Sequence, residues 1–264
     1  MAKNYQTILV ENPAPGLLRA TLNRPASANA FNTSMLRELL DFWTGLAASP
    51  GETRCVVLTG AGDRAFCAGA DLKERNSMDD ETWRDQHKLI EREQQMLLAC
   101  PVPVIAAVNG AAFAGGLELV LACDFAYAST NARFAMTETT LGLMPGAGGT
   151  QTLSRSAGAR RAKEIILAGK PFSAAEALSW GIVNKLCEPG KLMDETLAAA
   201  LAIAANAPLA VRQAKRAIAG GQGMSLAKAM EFEIECYERL VETADRREGI
   251  LAFNEKRKPR FTGR

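Results

Sequence analysis

Histidine is nearly missing from this chain: His87 is the only one in 264 residues. A Ser-His-Asp or Cys-His machine would rest on that single ring, and no G-x-S-x-G elbow accompanies it. Metal sites built on histidine are excluded for the same reason, and the surrounding ETWRDQHKLIEREQQ reads as exposed helix. The six cysteines (Cys55, Cys67, Cys100, Cys123, Cys187, Cys236) form no C-x-x-C pair and mostly sit in apolar runs. Buried, reduced thiols in a cytoplasmic protein are therefore expected, with no metal site. Long apolar runs are missing too. Glu118 and Asp124 break the longest candidate before it reaches the roughly 18 residues of a membrane span. The opening MAKNYQTILVENPAPG has no apolar core of signal-peptide length. Charge is almost balanced, 31 Lys+Arg against 29 Asp+Glu for a net +2, which points away from nucleic acid and membrane surfaces as partners. No low-complexity linker and no fixed-period repeat stands out.

What is present suits a soluble protein with a sizeable core: 48% of residues are hydrophobic, enough for one large domain or a domain with an appendage. QTILVE and LLRATLN flank the turn-rich NPAPG as a hairpin. Thr33 is the expected cap of an amphipathic helix, SMLRELLDFWTGLAAS, which Pro50-Gly51 ends. CVVLTG and VPVIAAVNG read as buried strands, with a polar, partly exposed helical segment from Lys73 to Gln95 between them. DFAYAS and ARFAMTE extend the strand set. From Gly158 helices dominate, ending in one long helical signal, SLAKAMEFEIECYERLVETADRREGILAF. The order predicts an α/β body followed by a helical C-terminal portion.

Three glycine-rich turns compete as binding elements. GAGDRA (Gly60–Ala65) matches G-x-G-x-x-A after a strand, which keeps a nicotinamide-dependent oxidoreductase in view. However, Gly69 interrupts any early helix, and no apolar strand ends near Asp79 or Asp80. In FCAGADL, Gly69 permits an unusual turn, and Ala68 and Ala70 would let a ligand approach the main chain. In AAFAGGLEL, Gly115-Gly116 open an apolar helix whose first N–H groups have no internal partner and could steady a developing oxyanion. Glu118 falls three residues past Gly115, about one helical turn. A second acid, Glu138, sits among the small and apolar residues of ARFAMTETTLGLMPGAGGTQ. Two carboxylates in dry surroundings suit proton transfer near neutral pH; two buried, hydrogen-bonded structural glutamates would look the same.

Taken in order, LNRPASANAF, GAGDRAFCAGADLKE, PVPVIAAVNGAAFAGGLELVLACDFAYAS, ARFAMTETTLGLMPGAGGTQTLSRSAG, ALSWGIVNKL and FNEKRKPRF resemble the enoyl-CoA hydratase/isomerase (crotonase) family from about Leu22 to Phe261. The resemblance implies an α/β, crotonase-like spiral of β-β-α repeats carrying the active site over residues 1–200. Residues 201–264 would form a helical region that assembles trimers or hexamers. It implies that the N–H groups of Ala70 and Gly115 grip a thioester oxygen while Glu118 activates water and Glu138 delivers a proton to C2. Relatives that isomerise commonly lack one acid, so retention of both favours hydration of a 2-enoyl-CoA. A double-bond isomerase and a non-catalytic CoA-thioester binder are the alternatives. CoA contacts are implied at Arg24, Ala26, Ala68, Ala70, Asp71, Leu72, Gly115 and, from the basic tail, Lys256. CoA arrives as part of the substrate, and no separate cofactor is implied. Two departures stand out: Ala26 and Ala28 replace a frequent lysine and leucine, and Ala114 stands where many hydratases have a third glycine.

Overall fold

A computed structural model describes residues 5–264. The chain opens with the antiparallel hairpin β1 (Ile8–Glu11) and β2 (Leu17–Leu22). Helix α1 (Thr33–Ala48) follows, capped by Asn32 rather than Thr33, because the Asn32 side chain already accepts from the Met35 N–H. Next come β3 (Cys55–Gly60), β4 (Ala65–Cys67), α2 (Leu72–Arg75), α3 (Asp80–Leu98), β5 (Val104–Val108), β6 (Ala111–Phe113) and α4 (Gly115–Ala122). The third round is β7 (Phe125–Ser129), β8 (Arg133–Ala135) and α5 (Gly149–Ala168), the last broken at Gly158. Then follow β9 (Phe172–Ser173), α6 (Ala174–Ser179), β10 (Lys185–Cys187), α7 (Leu192–Ala204), α8 (Pro208–Gly221), α9 (Leu226–Val241) and α10 (Ala244–Asn254). The single long C-terminal helix expected from sequence is two, because Thr243 starts a new one by accepting from the Arg246 N–H.

Three strand–strand–helix rounds build two sheets. The first strand of each round joins a six-stranded sheet of order β1-β2-β3-β5-β7-β10, parallel from β2 onward. The second joins a four-stranded sheet of order β4-β6-β8-β9. Each round advances one strand position, and that repetition makes the spiral. Side-chain amides fasten the corners between the sheets: Asn109 Nδ2 donates to Gly60 O and Gly62 O, and buried Asn29 donates to Ala61 O and Ala65 O. These bonds satisfy carbonyls that the ladders leave free at each corner.

The apolar continuity of CVVLTG and VIAAV has a direct cause, since both faces of the parallel sheet are covered. Val56, Leu58, Val104, Ala106 and Val108 point into the larger core shared with α1, α3 and α4. Their alternating neighbours Cys55, Val57, Ile105 and Ala107 point into a smaller core under Leu192, Ala200 and Ala204 of α7. All six cysteines are free and buried, and burial pushes the Cys55 and Cys67 thiols up to about 12. Beyond α7, helices α8 to α10 carry a mostly exposed surface, and Arg54 ties the C-terminal tail back by donating to Ala204 O and Phe261 O. No single helix among the described residues is long and apolar enough to cross a membrane.

Candidate active site

Parallel pairing of β4 with β6 sets the two glycine-rich turns side by side. Gly69, at φ +88°, turns the chain so tightly against the start of α4 that a Cβ there would lie 3.1 Å from Gly115 N, Phe113 O and Ala114 Cβ. A left-handed φ and this approach both require glycine. Gly116 is packed closer still: a Cβ there would lie 2.0 Å from Cys67 O. Around Ala70, Phe31 N–H donates to Gly69 O and Asp71 N–H donates to Phe31 O, so the intervening Ala70 N–H faces away from that bridge. The Gly115 N–H is the first of α4 and therefore outside its helical ladder. Both residues line one cavity of about 920 Å³. Ala114 holds φ +50° and ψ −125°, a conformation that L side chains resist at about 1–3 kcal/mol. Its N–H donates to Ala135 O, so the surrounding sheet imposes the turn.

The two acids meet in the same cavity from different elements. Glu118, 3% exposed on α4, accepts at Oε1 from the N–H groups of Ala147 and Gly149, each at 2.8 Å. Burial raises its pKa, and those two donors oppose the rise. Glu138 begins a single helical turn, Glu138–Leu141, and both of its carboxylate oxygens are buried without a hydrogen-bond partner among the described residues. Burial first, then the nearby Glu118 charge, pushes it up to about 7. One acid is thus held by two backbone N–H groups from another segment, while the other has only its own backbone nearby. Unequal surroundings of this kind are what let two carboxyls take opposite parts in proton transfer.

Of the residues singled out in the sequence, Ala68, Ala70, Leu72, Gly115, Glu118 and Glu138 line the cavity. Arg24, Ala26, Asp71 and Lys256 do not. Arg24 is engaged with Asp71 Oδ2 at 2.8 Å and with Ala30 O, while Asp71 caps α2 by accepting from Lys73 and Glu74. Ala26 is exposed in the turn Pro25–Ser27, and Lys256 is exposed just past α10. GAGDRA leads from β3 into β4 with no helix after it, so its glycines present no helix N-terminus to a pyrophosphate and the nicotinamide reading falls.

Sequence reading misses the polar residues of α3. Gln86, Glu93 and Gln94 are buried beside Ile90 and Leu97, and His87, expected to be exposed, is half-buried on the cavity wall. Gln94 Nε2 donates to Glu118 O at 2.8 Å, pinning α4 to α3 behind the acid. The spacing 86, 90, 93, 94, 97 is a helical core stripe, and polar residues at such positions are the available signal. Among the described residues, no group of three or more His, Cys, Asp or Glu could hold a metal ion.

Two acids and the main chain of Ala70 and Gly115 line one apolar-walled cavity on this spiral, and comparison with known proteins fixes the family. The profile described as enoyl-CoA hydratase/isomerase matches residues 14–264. A crystal structure of enoyl-CoA hydratase from Bacillus anthracis superposes with a TM-score of 0.96 at 44% identity, covering 98% of this chain and 100% of that one. The short-chain-enoyl-CoA hydratase of Clostridium acetobutylicum is 42% identical over 238 residues, covering 90% of this chain and 91% of that protein. An enoyl-CoA isomerase/hydratase of Mycosarcoma maydis is 37% identical over 260 residues, 94% of this chain and 93% of that protein. The chain belongs to the enoyl-CoA hydratase/isomerase family and has its crotonase fold.

Proposed function

We propose that the enzyme is an enoyl-CoA hydratase, adding water across the 2,3 double bond of a 2-enoyl-CoA thioester to give a 3-hydroxyacyl-CoA. The observation that carries this reading is the pair of acids, Glu118 and Glu138, on the wall of one cavity beside the Ala70 and Gly115 amides. A double-bond isomerase moves one proton and needs one such group, whereas hydration handles two protons at once.

In the proposed step, Glu118 takes a proton from water as the water oxygen bonds to C3. The π electrons move toward C1, and charge builds on the thioester oxygen. The Ala70 and Gly115 N–H groups receive that charge; loss of one such donor typically costs about 3 kcal/mol of transition-state stabilisation. Glu138 then gives its proton to C2 and the thioester carbonyl re-forms. One proton has entered Glu118 and one has left Glu138, and exchange between the acids and solvent resets them. Oxidation states of substrate and product balance without an electron acceptor, so the step draws on no redox group.

Crotonyl-CoA tests the reading. Its conjugated enoyl absorbance should disappear with the wild type. Glu118→Gln and Glu138→Gln should each slow turnover by about a hundredfold or more while still binding the ester. Normal rates in either variant would sink the two-acid mechanism. Tight binding without turnover by the wild type would leave a CoA-thioester binder, and absorbance appearing from a 3-enoyl-CoA without hydration would mark an isomerase.

We also propose that α8 to α10 mediate self-association. Leu226, Met230, Ile234 and Tyr237 form an apolar stripe along α9, each more than half exposed in the single chain. Such a stripe at helical spacing marks a face suited to burial against another copy.

A further inference from the structure

Arg75, the last residue of α2, is only 8% exposed, yet it lies on the wall of the active-site cavity. Its guanidinium is held from two sides. Nε donates to Gln86 Oε1 at 2.8 Å, and the group stacks over the Trp83 ring at 4.3 Å from its centroid. Gln86 cannot turn away, because its Nε2 donates at 2.8 Å to both Thr33 Oγ1 and Glu74 Oε2. Those two acceptors fix which end of the amide faces Arg75. Glu74, the nearest acid in sequence, spends its oxygens on Gln86 and on the Thr33 N–H. Nη2 of Arg75 is left buried with no hydrogen-bond partner among the described residues.

The Glu74 charge offsets part of the cost of burying this cation but accepts no hydrogen bond from it, and a desolvated guanidinium with an unpartnered N–H still favours a further anionic partner. The other cations on this wall, Arg84 and Lys88, pair with Asp80 and Asp85. Leu72 opens α2 beside Ala70, at the thioester end, and Arg75 follows one helical turn later toward the α3 wall formed by Trp83, His87 and Ile90. We propose that Arg75 receives a carboxylate at the far end of the acyl chain, so that the favoured substrate is a 2-enoyl-CoA whose acyl group ends in an acid rather than a methyl. This rests on the hydratase reading above and narrows it to a substrate class. A guanidinium meeting a carboxylate makes short, charge-assisted hydrogen bonds that an apolar chain end cannot replace.

The test compares two esters of equal carbon number, hex-2-enedioyl-CoA and hex-2-enoyl-CoA, followed by loss of the conjugated absorbance. The wild type should favour the acid-ended ester by about tenfold or more in kcat/KM. Arg75→Met should bring that ratio to about one, chiefly by raising KM for the acid-ended ester. A wild type that prefers the methyl-ended ester overturns the inference without any variant, while leaving hydration intact. So does an unchanged ratio in Arg75→Met. An equal fall for both esters would assign the guanidinium to the CoA moiety and likewise overturn it. Turnover of neither ester would take down the hydratase reading and this one with it.

Discussion

Glu93 offers a test of the packing behind the site that needs no substrate. The residue lies on α3 at 1% exposure, and its Oε1 accepts from Trp43 Nε1 at 2.8 Å. Burial raises its carboxyl to about 7, and the indole N–H only partly opposes the rise. In the unfolded chain the same group titrates near 4.5. Between those two pH values the unfolded chain releases its proton while the folded one keeps it. Folding stability therefore falls as pH rises through this window, and the loss is complete just above 7. At 1.36 kcal/mol per pH unit the full loss is about 3 kcal/mol. Glu93→Gln retains an oxygen for the Trp43 N–H and removes the titration.

Urea unfolding of both proteins at pH 5 and pH 8 reads this directly. Relative to the wild type, Glu93→Gln should gain about 2–3 kcal/mol between the two conditions. If the curves run parallel from pH 5 to pH 8, then Glu93 ionises in the folded protein as freely as in the unfolded one, and the account of a dry α1–α3 interface fails. The result bears on function because the next residue, Gln94, holds the main chain of Glu118. A charge appearing at position 93 would load the same helix turn.

Gly116→Ala forces a Cβ to within 2.0 Å of Cys67 O, a backbone atom with no rotamer to yield, and should cost about 3 kcal/mol or more in urea unfolding, with activity lost in whatever folds. If Glu138 must carry the proton destined for C2, kcat/KM for crotonyl-CoA should fall as pH rises through about 7, and a profile flat from pH 6 to pH 8 would remove Glu138 from that role. Charging the α9 stripe with Leu226→Glu and Ile234→Glu together should shift sedimentation from an oligomer to a single chain; a wild type that is already a single chain would end the self-association proposal.

Much of this molecule is legible in the order of its residues. The apolar runs CVVLTG and VPVIAAVNG fall on β3 and β5, and NPAPG falls on the β1–β2 turn. Glu118 and Glu138 stand out because carboxylates in apolar company need a reason. The spiral is not legible from periodicity alone, since three rounds with insertions as different as α3 and α4 share no fixed length. Arg24 and Asp71 are ligand contacts implied by the resemblance alone, and their mutual ion pair is a feature that residue order does not reveal. Arg75 and Gln94 are hidden because composition makes Lys73–Gln95 look solvated. Their burial comes from α3 lying across the cavity with its stripe of Gln86, Ile90, Glu93 and Gln94 turned inward.

The scarcity of histidine acquires a physical meaning at this site. An imidazole titrates near neutrality without help, whereas a carboxyl must be moved there by its surroundings. This fold supplies the difference by burial, and the main chain then sets the two acids apart. Ala147 and Gly149 give two N–H groups to one oxygen of Glu118 and none to Glu138, so identical side chains receive opposite solvation. The donor at Gly149 needs that residue to stay small, because a Cβ there would lie 2.8 Å from Glu118 Oε1. The amides proposed to steady the thioester oxygen depend in the same way on Gly69 and Gly116, which let β4 and α4 approach. The chemistry proposed here is therefore written as much in the glycines that set backbone distances as in the two acids. An exchange of either acid should slow turnover by about a hundredfold or more, and an exchange of any of these glycines should slow it comparably from outside the reacting atoms.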